Sequence, residues 1–188
     1  MSSDRDTLLH PQRLRSRDEV LRNPSPVPKL PGVYAWYFKE IPPRVPMDGC
    51  IVHQGLTLLY VGIAPKKQTN AGKKSNKKLF DRLRFHYSGN AEGSTLRLTL
   101  GSLLSETLGI RLQRQEGGTS LTFRDGEQIL SRWMGENAYV VWVVRDDPWV
   151  LEDELIRTLS LPLNLQGNDR HPFYYRLKAI RKACKDTA

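Results

Sequence analysis

Three short runs of β-branched and aromatic residues constrain the fold of this chain more than any other feature. Gly32–Phe38 reads GVYAWYF, residues 56–63 read LTLLYVGI, and residues 138–144 read AYVVWVV. Each has the composition and length of a strand. In the first, Tyr34, Trp36 and Phe38 face one side and Val33, Ala35 and Tyr37 the other. In the second, Tyr60 and Gly62 share a face, and a glycine inside a strand marks a place where something approaches the backbone closely. The third is apolar throughout, as expected of a strand buried on both faces. Set among stretches of helical period, the three runs make the chain α+β.

Between them the sequence supplies helices and connectors. Residues 6–22 have an amphipathic helical pattern disturbed at Pro11. Asn23–Pro31 (NPSPVPKLP) is a proline-punctuated extended connector, and 39–55 read as a long loop. The stretch KLFDRLRFHY (78–87) is a helix on which Arg82 and His86, four apart, share a face. Ser94 and Thr95 cap a leucine-rich helix that stops at Gly109. A hairpin is expected to turn at Gly117–Gly118, followed by a short helix near 126–134 that ends at Gly135. His171–Phe173 open a last helix with Phe173, Leu177, Ile180 and Cys184 inward. This divides the chain into an N-terminal helix and connector (1–30), a main domain (31–170) with an insertion at about 88–135, and a C-terminal helix (171–188) packed on that domain.

The stretch Trp149–Asn164 (WVLEDELIRTLSLPLN) carries the sharpest chemical signal. As a helix ended by Pro162, its apolar stripe runs Trp149, Leu155, Ile156, Leu159, and Glu152 falls on that stripe while Asp153 and Glu154 point to solvent. An inward carboxylate is costly unless a cation or donor meets it. Either an arginine or a metal ion satisfies that need.

With 29 Lys and Arg against 20 Asp and Glu, the net charge is +9, and the isoelectric point is near 9.7. The surplus is concentrated. Lys66, Lys67, Lys73, Lys74, Lys77, Lys78, Arg82 and Arg84 stand against Asp81 alone within 19 residues, the pattern of a phosphate-tracking segment. No apolar run approaches the roughly 18 residues of a membrane span, and the N-terminus has no apolar core of a signal peptide. Cys50 and Cys184 are isolated. These features point to a cytoplasmic protein whose partner is nucleic acid, with no membrane contact.

The ordered set of motifs resembles the GIY-YIG nuclease superfamily. The first signature appears as Gly32-Val33-Tyr34, the second as Tyr60-Val61-Gly62. The helical Arg with a His or Tyr four later is matched by Arg82 and His86. The acidic helix with its following Pro and Asn is matched by Glu152, Pro162 and Asn164. The likeness spans about residues 30–164. The chain departs from minimal members by a longer loop between the tyrosine strands, extra residues at 64–78, and the 91–135 stretch, which fits surface recognition elements. Ile63 stands where some members carry Lys, which passes any such role to Lys66 or Lys67.

The resemblance implies a small three-stranded antiparallel sheet flanked by helices and a Mg²⁺-dependent endonuclease. Its DNA substrate is not separable from RNA by these residues. Glu152 alone on its face implies one ion, Mg²⁺ or Mn²⁺, per site. Arg82 would stabilise charge on the phosphate. A signature tyrosine, Tyr34 with Tyr60 beside it, would be the general base, with His86 the rival. Asn164 would orient the site, Gly62 would allow close backbone approach, and the lysines with Arg84 would hold the strand. A monomer or a homodimer fits. The alternative is a catalytically silent nucleic-acid-binding module of the same fold.

Overall fold

Strand β1 (Gly32–Phe38) is the centre of the sheet, and all seven of its residues are buried. The computed structural model describes residues 3–66, 76–115 and 117–188. In chain order these form α1 (Asp4–Leu9), α2 (Arg17–Leu21), β1, β2 (Val52–His53), β3 (Leu56–Ala64), α3 (Leu79–Ser88), α4 (Thr95–Leu108), β4 (Gln113–Arg114), β5 (Leu121–Thr122), α5 (Gly126–Asn137), β6 (Ala138–Val144), α6 (Pro148–Thr158) and α7 (Tyr174–Asp186). No helix among them is long and apolar enough to cross a membrane.

The main sheet runs β2-β3-β1-β6, with antiparallel pairing at each junction. It therefore has four strands, not the expected three. The missed strand, β2, is two residues long. It pairs with β3 across a tight turn in which Gln54 (φ 52°) and Gly55 (φ 76°) take left-handed conformations, and a two-residue strand leaves no alternation to detect. β4 and β5 make the separate hairpin expected around Gly117–Gly118.

The expected alternation along β1 is realised as two apolar layers. Tyr34, Trp36 and Phe38, with Tyr60 and Val140, join Leu79, Leu83, Leu100, Leu104, Leu130 and Leu177 on one side. Val33, Ala35 and Tyr37, with Val61, Ile63, Val141 and Val143, meet Leu8, Leu151, Leu155 and Ile156 on the other. Both faces are thus covered by helices, which is why β1 is wholly buried although its sheet is antiparallel.

Several expectations are corrected. The apolar run of β6 forms an outer strand, and Val144 is 46% exposed. Its rim is partly covered by Arg15, whose backbone pairs with Val140 in both directions at 2.9 Å. An unbroken apolar run thus served an edge shielded by an N-terminal segment. Residues 6–22 form two short helices, each opened by a serine capping box at Ser3 or Ser16. α5 continues through Gly135 to Asn137, directly into β6. α6 ends at Thr158, before Pro162, and its buried stripe is Leu151, Leu155 and Ile156, with Trp149 and Leu159 only half-buried. Residues 91–135 do not lie out on the surface. α4 and α5 bury Leu96, Leu100, Leu104, Leu130 and Met134 in the larger core, because a leucine-rich helix gains more from the sheet than from water.

α4 itself follows its sequence signals closely. Ser94 accepts from the Arg97 N–H at its start, and Gly109 ends it in the left-handed conformation. Arg97, fully buried, is held by Glu127 at 2.7 Å and by the carbonyls of His86 and Tyr87. This network ties α3, α4 and α5 together.

Candidate active site

The site grows from the pairing of β1 and β3. In this register Tyr34 lies opposite Gly62 and Trp36 opposite Tyr60, so both tyrosines emerge on the face covered by α3. A Cβ on Gly62 would stand 2.6 Å from the Tyr34 hydroxyl. The glycine is therefore the space into which the Tyr34 ring lies, and the close approach that its place in a strand suggested is made by a side chain of the same site.

α3 contributes Arg82 and His86 from one face. His86 is fully buried, with Nε2 2.8 Å from the Tyr34 hydroxyl and Nδ1 2.7 Å from Ser94 Oγ. Ser94 Oγ also accepts the Arg97 N–H as the cap of α4. The neutral imidazole donates through one of these nitrogens and accepts through the other, so Ser94, His86 and Tyr34 form one hydrogen-bonded relay. Burial, followed by the charges of Arg82, Arg97 and Lys66, holds the His86 ionisation well below its usual value. It stays neutral at physiological pH.

Arg82 is 5% exposed. It donates one N–H to the Gly93 carbonyl at 2.9 Å and its charge acts on the Tyr34 phenol, while its buried Nε has no partner among the described residues. Burial opposes its charge, yet Tyr34, Tyr60 and Glu152 raise its ionisation above the ordinary arginine range. The Tyr34 hydroxyl is thus hydrogen-bonded to His86 and lies within the field of Arg82. Burial still dominates and raises the Tyr34 phenol, with Arg82 pulling it down and Glu152 pushing it up. Tyr60 is raised as well, mainly by burial, and its ring stands edge-on to His86 with centroids 6.5 Å apart.

Glu152 projects from α6, half-exposed at the side of the Leu151–Leu155 stripe, near enough for its charge to act on this group. Among the described residues it is the one carboxylate whose charge acts on Tyr34, Tyr60 and Arg82. No three His, Cys, Asp or Glu side chains of the described residues gather into a metal cluster. A single carboxylate beside a water-accessible cleft does not suit closed zinc coordination. It does suit Mg²⁺, which is held by one or two carboxylates and keeps several waters.

Asn164 stands behind the site. Its side-chain oxygen accepts from Val61 N–H and its amide donates to Val61 O, both at 2.9 Å. It thereby occupies the outward backbone groups of the residue between Tyr60 and Gly62, closing the edge of β3 that the short β2 leaves open. Its contact is with the strand, not with the other site residues.

A cleft of about 150 Å³ opens beside Arg82, lined by Ile63, Lys66, Lys77 and Gly93. Desolvation lowers the Lys66 ammonium, and the neighbouring charges of Arg82 and Lys77 lower it further. Lys66 and Lys77 are therefore the lysines, among the described residues, that line the cleft beside Arg82. Lys78 caps the start of α3 through its backbone, bonded to Asp81, and Arg84 projects from the opposite side of that helix. Lys67, Lys73 and Lys74 lie outside the described residues. His53 and His171 bond Pro11 O and Ser160 Oγ, away from this group.

Two contributors were not legible as such in the sequence. Ser94 carries only the signal of a helix cap, and its bond to His86 depends on tertiary packing. Arg181 of α7 lies beside Tyr60, whose phenol it acts on; burial lowers its own ionisation. Among the described residues it forms no ion pair or hydrogen bond. It follows Leu177 by four, so a cation on an apolar helical stripe was the available signal.

Residues 32–183 match the family model described as the GIY-YIG catalytic domain. Searches among curated proteins and among solved structures returned no match.

Proposed function

The chain belongs to the GIY-YIG catalytic-domain family, and from that premise we propose that it is an endonuclease hydrolysing phosphodiester bonds in DNA, with one Mg²⁺ or Mn²⁺ per site. A nuclease-type function follows from the family; the metal and the substrate are the finer reading. The observation that carries it is the convergence of Tyr34, Tyr60, Arg82 and Glu152, from four different elements, beside a cationic cleft. No observation favours a catalytically silent binding module.

In this reading Glu152 holds the ion, which supplies charge neutralisation to the phosphate. Arg82 holds the phosphate oxygens with terminal N–H groups not given to Gly93. Lys66 and Lys77 keep the entering strand in the cleft. Tyr34 is the general base. A hydrogen bond from His86 and the charge of Arg82 stabilise its oxygen as a phenolate, which takes the proton of the attacking water. His86 has both nitrogens engaged inside the core, so it positions Tyr34. Tyr60 packs beside that pair, and Arg181 offers a second guanidinium to the bound strand. Asn164 keeps β3 in register.

The test is incubation of supercoiled plasmid and of duplex, flap and single-stranded oligonucleotides with the protein across Mg²⁺, Mn²⁺ and chelator. Cleavage requiring the divalent ion and abolished in Glu152→Gln is expected. Intact DNA under every metal condition would overturn the proposal.

A further inference from the structure

A second basic surface lies on the far side of the helix that carries Arg82. The connector between α2 and β1 runs along α3, and its backbone is fastened there: Leu79 N–H donates to Leu30 O at 3.0 Å, and Phe80 N–H to Pro28 O at 3.2 Å. Between connector and helix lies a groove of about 640 Å³, lined by Arg22, Lys29, Phe80 and Arg84 together with small polar and apolar residues, with no carboxylate. Lys29 Nζ rests 5.7 Å from the centre of the Phe80 ring, which fixes it over the groove floor.

The groove cations are not drawn into ion pairs within the described residues. Arg5, Arg13, Arg15, Arg44, Arg97 and Arg145 each have a carboxylate partner. Among the described residues Arg22, Lys29 and Arg84 have none. Arg82 and Arg84, two residues apart on α3, are turned about 200° from one another. One points into the cleft and the other into the groove, and Lys77 and Lys78 stand at the helix start between them. A polyanion gripped at Arg82 and passing over the first turn of α3 meets Lys77 and Lys78, against Asp81 as the one acid of that turn.

We propose that this groove is a second nucleic-acid-binding site, holding the sugar-phosphate backbone of the duplex that flanks the cut. Arg22, Lys29 and Arg84 take successive phosphates, and Phe80 provides an apolar floor under the sugars. The proposal rests on the nuclease reading for its polymer but not for its chemistry, since the groove binds without cutting.

The experiment is binding of a fluorescent DNA duplex without divalent metal across a salt series. It compares the full-length wild type, Arg22→Ala/Lys29→Ala/Arg84→Ala, and a control that removes equal charge elsewhere, Arg44→Ala/Lys182→Ala/Lys185→Ala. The slope of log K against log salt is expected to fall by about 2.7 in the groove variant, roughly 0.9 for each phosphate no longer neutralised, and to stay near wild type in the control. The single variant Arg84→Ala, at an exposed helical position, should lower the slope by about 0.9 and guards against misfolding of the triple. Equal slopes for groove variants and wild type, or equal reductions in groove variant and control, would overturn the groove alone. A wild type that binds duplex but cuts under no metal would remove the nuclease reading and leave the groove. A wild type that binds no duplex at low salt would remove both.

Discussion

Gly62 leaves room for one side chain, that of Tyr34: a methyl group on Gly62 would stand 2.6 Å from the phenol oxygen and 2.8 Å from Cζ. The two signatures, 28 residues apart along the chain, are thus halves of one contact across β1 and β3. Gly62→Ala is expected to push the ring aside without a backbone penalty, since Gly62 is not among the positive-φ residues. Displacement of a reacting group by about 1 Å costs on the order of 100-fold in rate. Cleavage kinetics beside a thermal melt check this: a large loss of kcat with a nearly unchanged melt supports it, and full activity removes Tyr34 from the chemistry.

The pH dependence separates Tyr34 from His86. The Tyr34 phenol is raised by burial above its ordinary value of about 10. A base with so high a pKa is deprotonated in a fraction that grows about tenfold per pH unit below it. The cleavage rate should therefore climb steadily from about pH 6 to about pH 9. A histidine base, whose ionisation is held low here, would give a rate already level near neutrality. A flat profile above about pH 7 would transfer the role of base from Tyr34 to another group.

Glu127 is the anchor of the buried network under the site. Its carboxylate pairs with Arg97 and also accepts from the backbone N–H groups of Ala91 and Phe123. Glu127→Ala leaves a fully buried guanidinium without its counter-charge, which costs about 3–5 kcal/mol. Urea unfolding is the measurement, and a loss under about 1 kcal/mol would show that Arg97 finds compensation.

Arg181 should behave as a strand contact. Arg181→Ala is expected to raise KM about tenfold or more with a smaller effect on kcat, because one charge-assisted hydrogen bond to a phosphate is worth roughly 1.5–3 kcal/mol. Arg181→Lys should recover part of the loss. If only the melting temperature moves, Arg181 is a packing residue of α7.

Asn164→Ala removes both bonds to Val61 and leaves a buried strand residue with two unsatisfied backbone groups, at about 1–3 kcal/mol each. A destabilised protein with reduced activity is expected. Asn164→Asp should restore little, since a carboxylate keeps the acceptor for Val61 N–H but loses the donor for Val61 O. Rescue by Asp would contradict the paired bonding.

Much of this arrangement was legible because it follows local rules. Alternation sorted Tyr34, Trp36 and Phe38 from Val33, Ala35 and Tyr37, and the two core layers preserve that sorting. The four-residue spacing put Arg82 and His86 on one face of α3, and both are buried there. Ser94 and Gly109 bounded α4 as helix caps do. Elsewhere local signals were too short or too general. The two residues of β2 have no period, and the apolar run of β6 reads the same whether a sheet neighbour or an N-terminal segment covers it. Glu152 was placed on a stripe through Trp149 and Leu159, but α6 is rotated so that Leu151 takes the buried place and Glu152 projects from its side.

What the sequence alone determined was therefore which residues share a face within each element and, through the order of its motifs, the family. These depend on backbone periods of two and 3.6 residues and on caps, which act over a few positions. What only the tertiary structure decided was how the faces meet: that Tyr34 lies over Gly62, that His86 is closed in by Ser94, that Asn164 serves Val61, and that Arg181 arrives beside Tyr60. Those relations depend on register, helix rotation and the packing of α4 and α7. They are set by the burial of the whole core, and no local stretch of chain specifies them.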